Sequence, residues 1–295
     1  HNRAAIFEMS RSNMAASMLH SRKMLEYAAP GSFEAMVAMS QVASRYSDMG
    51  RMEDSQTWRA RSIDVGRRLF LGDGKRHAFQ EITEFDNILA AAMDAAVRHE
   101  RNPSLLQTLW KQRKAVLANP AFDQDKNLGE WLTAVQLFAV VGDLRTAADV
   151  MREYEAKAAE LGEGRFVRAV RKDREPAARA RLAEARGDRE LAADHWRAWL
   201  GDNRPEDVGG NALRLVGLGL ERAGQCAQAE RLLELAARKF EEVRGSFSVH
   251  DRLTFMSNTS ITPYWGLLRC RVRRFRERPG HDAFSRILGA MRLLR

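Results

Sequence analysis

Side-chain chemistry needs partner groups at fixed spacings, and the seven histidines of this 295-residue chain lack such partners. His1, His20, His77, His99, His195, His250 and His281 never fall three or four positions apart, so no helix face offers the paired imidazoles of a zinc site. The two cysteines, Cys226 and Cys270, fit neither a metal-ligand spacing nor a disulfide framework. Arginines at 269, 271, 273 and 274 would favour a thiolate at an exposed Cys270. No base lies nearby in sequence, and both cysteines read as small core residues. Gly72-Asp73-Gly74-Lys75 lacks the four-residue gap and the following Ser or Thr of a phosphate loop, so it reads as a loop. Gly217-Leu218-Gly219 sits in a helix-periodic stretch, which excludes a dinucleotide fingerprint there. The six tryptophans, at 58, 110, 131, 196, 199 and 265, could stack bases, but their spacing beside Leu and Ala places them in a core. His195, Trp196 and Trp199 could line a groove edge. With no nucleophile, base or metal set to assemble, the expectation is a chain with no catalytic, metal or cofactor site of its own.

One charged motif stands out. Arg269 to Arg278 reads RCRVRRFRER, and a helix there sets Arg269, Arg273 and Arg276 along one face, with Arg274 and Arg278 close by. Such a stripe would bind phosphates in a salt-sensitive way, or dock an acidic partner or a following domain. The net charge of +9 is concentrated in this region. Residues 244–295 hold eleven arginines, no lysine and three acids, net +8, whereas residues 1–243 are close to neutral at +1. The longest apolar stretch, Trp131 to Val141, is far short of the about 20 residues a membrane span needs. Sparse cysteine and no visible signal peptide point to a reducing, cytoplasmic setting and no membrane partner. The first residue is His1, as in an excised piece of a longer protein.

These groups must be positioned by helices. Seven prolines, few β-branched runs and an abundance of Ala, Leu, Met, Arg and Glu predict an all-α chain. Apolar residues recur at helical spacing: Met36, Met39, Val42, Ala43 and Tyr46; Ile88, Ala91, Ala92, Ala95 and Ala96; Trp131, Ala134, Val135, Phe138 and Val141. Short breaks separate the helices. Met49-Gly50-Arg51, Val141-Gly142-Asp143, Arg186-Gly187-Asp188 and Ala223-Gly224-Gln225 place a helix-ending glycine before the next start, where Asp143 and Asp188 can cap. Asn102-Pro103 uses a capping Asn and a Pro at the first helical position. Arg278-Pro279-Gly280 is a sixth break. Each tight turn makes an antiparallel hairpin, and six in a row, spaced irregularly, predict a stacked solenoid.

Around the breaks the chain resembles tetratricopeptide repeats. The residues that carry this are Ala43, Tyr46, Gly50 and Ser55; Trp131, Val135, Phe138, Gly142 and Ala147; Ala180, Ala183, Gly187 and Ala192; and Gly217, Leu220, Gly224, Ala229 and Ala236. The resemblance implies a right-handed superhelix of helix pairs over residues 1–243, followed by a basic C-terminal hairpin over 244–295. It also implies a concave groove for an extended peptide or a partner helix, with candidate positions Ser40, Ser44, Gln136, Arg181, Glu184, Asn211, Arg214, Glu221 and Arg222. The segment from His250 to Arg295 is similar to the connector between such repeats and the peptidase domain of bacterial CHAT proteins, a caspase-like family. That likeness implies a sensing arm, with the family's catalytic His and Cys beyond Arg295. The expected function is a protein-interaction scaffold. Alternatives are a basic adaptor contacting nucleic acid or a ribonucleoprotein complex, and the sensor arm of a signalling ATPase or transcription regulator.

Overall fold

The computed structural model describes residues 14–49, 51–71, 78–119, 127–245 and 262–293. All regular structure among them is helical. The chain forms two compact units, His1–Leu161 and Gly162–Arg295.

The first unit contains α1 (Met14–Tyr27), α2 (Phe33–Asp48), α3 (Met52–Phe70), α4 (Phe79–Ala95), α5 (Pro103–Leu117), α6 (Gly129–Val141) and α7 (Leu144–Leu161). Sequence neighbours pack on each other: α1 on α2, α2 on α3, α4 on α5 and α6 on α7. The breaks work as their residues require. Asn102 accepts from the Leu105 amide at 3.0 Å, with Pro103 opening α5. One π-helical turn, Ala96–Glu100, precedes it, and Arg101 takes the left-handed conformation at φ 45° where other breaks use glycine. Gly142 at φ 82° lets the Asp143 amide reach the Phe138 carbonyl at 3.0 Å, and Asp143 then caps the Thr146 amide at 3.1 Å. Gly50 and residues 72–75, expected as a break and a loop, lie outside the described residues.

The predicted stripes form the core, with local differences. Met36, Val42, Ala43, Tyr46, Ile88, Ala92, Trp131, Val135 and Phe138 are buried. Met39 and Val141 are half-buried at the stripe edges, and Ala91 faces solvent. Several charged groups lie inside, Arg45, Asp86 and Arg113 among them. The Arg113 side chain, 4% exposed, donates to both Asp86 oxygens at 2.8 and 2.9 Å and to Glu130 at 2.8 Å. This trio ties α4, α5 and α6 together. Burial works against the guanidinium charge, but Asp86 and Glu130 more than offset it and hold Arg113 above its ordinary value.

The second unit contains α8 (Arg165–Asp173), α9 (Glu175–Arg186), α10 (Arg189–Leu200), α11 (Gly210–Arg222), α12 (Cys226–Gly245), α13 (Thr262–Glu277) and α14 (His281–Leu293). Hairpins α9–α10, α11–α12 and α13–α14 follow one another, and α10 packs on α11 and α12 on α13. Gly187 repeats the glycine break, with Asp188 capping the Leu191 amide at 3.1 Å. Trp196, Leu213, Val216, Leu220, Leu233, Leu267 and both cysteines share one core. Gly217 is the close-approach residue expected from the sequence: a Cβ there would lie 2.8 Å from Leu233 Cγ. Three tryptophans are buried as expected, Trp110, Trp131 and Trp196, whereas Trp265 is 47% exposed.

Candidate functional site

Three helices of the second unit, α9, α11 and α13, carry polar clusters around Glu184, Arg214 and Glu221. On α9, Arg181 and Glu184 stand one turn apart, and Glu184 is the hub. It accepts from Trp196 Nε1 at 2.6 Å, from Arg181 at 3.1 Å, and from Nε and Nη2 of Arg222, both at 3.0 Å. The Arg181 guanidinium also lies over the Trp196 ring, 5.4 Å from its centre. Burial, together with the Arg222 and Arg214 charges, holds Arg181 below its ordinary value despite Glu184.

On α11, Asn211, Arg214, Leu218, Glu221 and Arg222 follow helical spacing. Arg214 donates to Asn211 Oδ1 at 2.7 and 3.0 Å and to Thr262 Oγ1 at 3.4 Å. These acceptors are neutral, and among the described residues no carboxylate pairs with it. Burial lowers its pKa. Glu221 is buried, its side chain 5% exposed, and is held by Arg269 of α13 through two hydrogen bonds of 3.1 and 2.8 Å. That two-pronged geometry raises the Arg269 pKa. Arg273 reaches the same carboxylate at 4.0 Å and donates to the Glu221 carbonyl at 3.3 Å. On α13, Thr262, Trp265 and Arg269 share one stripe by their spacing.

The sequence-derived positions therefore divide. Arg181, Glu184 and Arg222 join one cluster, Asn211 and Arg214 a second with Thr262, and Glu221 a third with Arg269. Ser40 and Ser44 lie one turn apart on α2 in the first unit, with the Ser44 hydroxyl donating to the Ser40 carbonyl at 3.1 Å. Gln136 is half-buried on α6. The basic stripe also divides. Arg269 and Arg273 turn to Glu221. Arg274 pairs with Glu230 of α12 at 3.2 Å and, with Arg278, lines a cleft of about 330 Å³ against α14 that also holds Glu277, Asp282 and Arg286. Arg276 is exposed. Three of the five stripe arginines thus have intramolecular carboxylates.

Sequence reasoning missed Trp196 as the residue that orients Glu184, and Arg271, which joins Glu234 at 2.5 Å and the Arg286 carbonyl at 2.8 Å. The signal for Trp196 was its place on the apolar face of α10 with a polar tip that a buried indole must satisfy. Arg271 gave no local signal. Among the described residues no group of three His, Cys, Asp or Glu side chains could hold a metal ion, and no helix is long and apolar enough to cross a membrane. Compared with known proteins, the chain matches no family model and no curated sequence.

Proposed function

We propose that this chain is an interaction scaffold of the tetratricopeptide type, whose second unit receives an extended acidic segment of a partner protein on α9, α11 and α13. Arg214 carries the reading. Among the described residues it is a partly buried guanidinium with only neutral acceptors, and its charge acts on Arg181, which shares the Glu184 carboxylate with Arg222 of α11. A carboxylate from a partner would complete the pairing in a setting where charge-assisted hydrogen bonds are stronger than in water. Trp265, exposed on the same stripe as Arg269, offers an apolar surface beside the charges.

The repeat reading is supported by the glycine breaks, by the sequential packing of hairpins and by the close approach at Gly217. In it, the helix pairs continue as a right-handed solenoid whose first helices line the groove. Were a caspase-like peptidase to follow α14, the scaffold would be its sensing arm. The pairing of Arg269, Arg273 and Arg274 within the chain weighs against a phosphate-binding role for the stripe.

The test is fluorescence anisotropy with labelled deca-glutamate, deca-lysine and a single-stranded DNA. Deca-glutamate should bind the full chain at about 0.1 M salt and weaken as salt rises. Deca-lysine and DNA should not bind there. Arg214→Ala, which breaks no ion pair among the described residues, should weaken deca-glutamate binding about tenfold, the loss expected of one charge-assisted contact, while the chain stays folded with at most a small drop in melting temperature from the lost Asn211 and Thr262 hydrogen bonds. Undiminished binding by that variant, or preference for DNA, would overturn the proposal.

A further inference from the structure

Among the described residues Arg101 alone has a left-handed backbone without being glycine, and it follows directly on the π-helical turn Ala96–Glu100. Such turns are frequent at functional sites, and a strained backbone persists only where its surroundings hold it. Glu100, the last residue of the turn, lines a cleft of about 180 Å³ in the first unit, between α3, α4 and α5. The apolar wall is Ile63 of α3, Ala92 of α4, and Leu105 and Leu109 one turn apart on α5. Ala92 and Leu109 are buried, and Ile63 and Leu105 are half-buried. The Asn102 cap on the Leu105 amide fixes where α5 begins, and so where Leu105 and Leu109 stand. Opposite charges line the same cleft, Arg59 of α3 and Glu100, both half-buried. Among the described residues neither side chain forms a hydrogen bond or ion pair, with the other or with a third group. Asp94, which also acts on Arg59, is taken by Arg98 at 2.8 Å. Burial holds Arg59 below its ordinary value despite Glu100 and Asp94.

We propose that this cleft binds a free α-amino acid with a small branched apolar side chain, of the size of leucine. Its carboxylate would lie on Arg59, its ammonium on Glu100, and its side chain against Ile63, Ala92, Leu105 and Leu109. Two half-buried charges of opposite sign that face one cleft without touching are matched by a ligand that carries both signs. The guanidinium offers a carboxylate two parallel N–H donors, and the Glu100 carboxylate accepts from an ammonium. A mostly apolar wall with a few placed polar groups is the usual make-up of a small-molecule site. The volume sets the side chain. An apolar cavity of about 150 Å³ holds a benzene ring, so this cleft takes an isobutyl group and leaves no room for an indole beside the charged head. The site belongs to the first unit and does not depend on what the second unit binds.

The experiment is isothermal titration of the full chain with leucine, with isocaproate, which lacks the ammonium, and with isoamylamine, which lacks the carboxylate. Leucine should bind about tenfold more tightly than either analogue, because each analogue loses one charge-assisted contact, and tryptophan should not compete. Saturating leucine should raise the melting temperature. Glu100→Gln should weaken leucine about tenfold and leave isocaproate unchanged, whereas Arg59→Gln should weaken leucine and leave isoamylamine unchanged. The analogue series on the native chain decides the outcome even where a variant fails to fold. No saturable binding of leucine in the millimolar range, equal affinity for the three ligands, or leucine binding unchanged in both variants would overturn the proposal.

Discussion

Gly219 lies against the indole of Trp196: a Cβ at position 219 would come within 2.3 Å of Trp196 Cε2 and Nε1. That nitrogen donates to Glu184, the hub of the arginine network. A backbone contact between α11 and α10 therefore sets the angle of a side chain that organises α9. Gly219→Ala should force the ring or the helix to move and cost about 1–3 kcal/mol, as overpacking does. Gly289→Ala, where the nearest atom is the tip of Arg271 at 3.9 Å, should be neutral or stabilising by up to about 1 kcal/mol. Urea denaturation of both variants checks the pair. Equal effects would show that helix propensity, and not the Trp196 contact, governs position 219.

Arg113 should be among the most costly residues to remove. Its guanidinium neutralises Asp86 and Glu130 inside the first unit, and truncating one partner of a buried set leaves charge without compensation. Arg113→Ala should cost about 3–5 kcal/mol. Asp86→Asn keeps an oxygen acceptor and leaves Glu130 as counter-charge, so its cost should be smaller, about 1 kcal/mol, as for one hydrogen bond. Denaturation midpoints rank the two.

Glu221 is shared by two cations, so their losses should not add. With Arg269 gone, Arg273 is already 4.0 Å from the carboxylate, and Arg269→Ala alone should cost about 1 kcal/mol. Removing both leaves Glu221 buried and unpaired. The double variant should exceed the sum of the single losses by about 0.5–3 kcal/mol in a double-mutant cycle. Strict additivity would show that the two arginines act independently.

His195 predicts a pH dependence of stability. Burial and the Arg179 charge hold it below the ordinary histidine value of 6.5, against the pull of Asp194, Glu175 and Asp188. The unfolded chain therefore binds the proton more readily, and stability falls as pH drops below about 6.5 towards the lower folded value. Above that window the residue contributes no pH dependence. His195→Gln should flatten stability between about pH 7.5 and 5.5 relative to the native chain, read from urea midpoints. An unchanged slope would remove His195 as its source.

The helices were legible because their signals are local. Asn102-Pro103, Gly142-Asp143 and Gly187-Asp188 stop and start helices through hydrogen bonds spanning only a few residues, and apolar spacing alone placed Phe138, Trp131 and Val42 inside. The edges of those stripes follow the neighbouring helices. Ala91 and Trp265 match the pattern yet face solvent, because burial depends on what packs opposite.

Charge pairing needed the tertiary structure. The sequence counted the arginines of 269–278 and could place them around a helix, but their meaning depends on Glu221 and Glu230, about forty or more positions away. What looked like one basic stripe is divided between two neighbouring helices and a cleft. The same long-range packing of α13 on α11 and α12 leaves Arg214 with neutral partners among the described residues and places Cys226 and Cys270 in one core. Helix formation follows from bonds between near neighbours and from side-chain periodicity, which a sequence carries openly. Pairing across helices is set by which faces meet once the core closes, and the packing of distant apolar residues decides that.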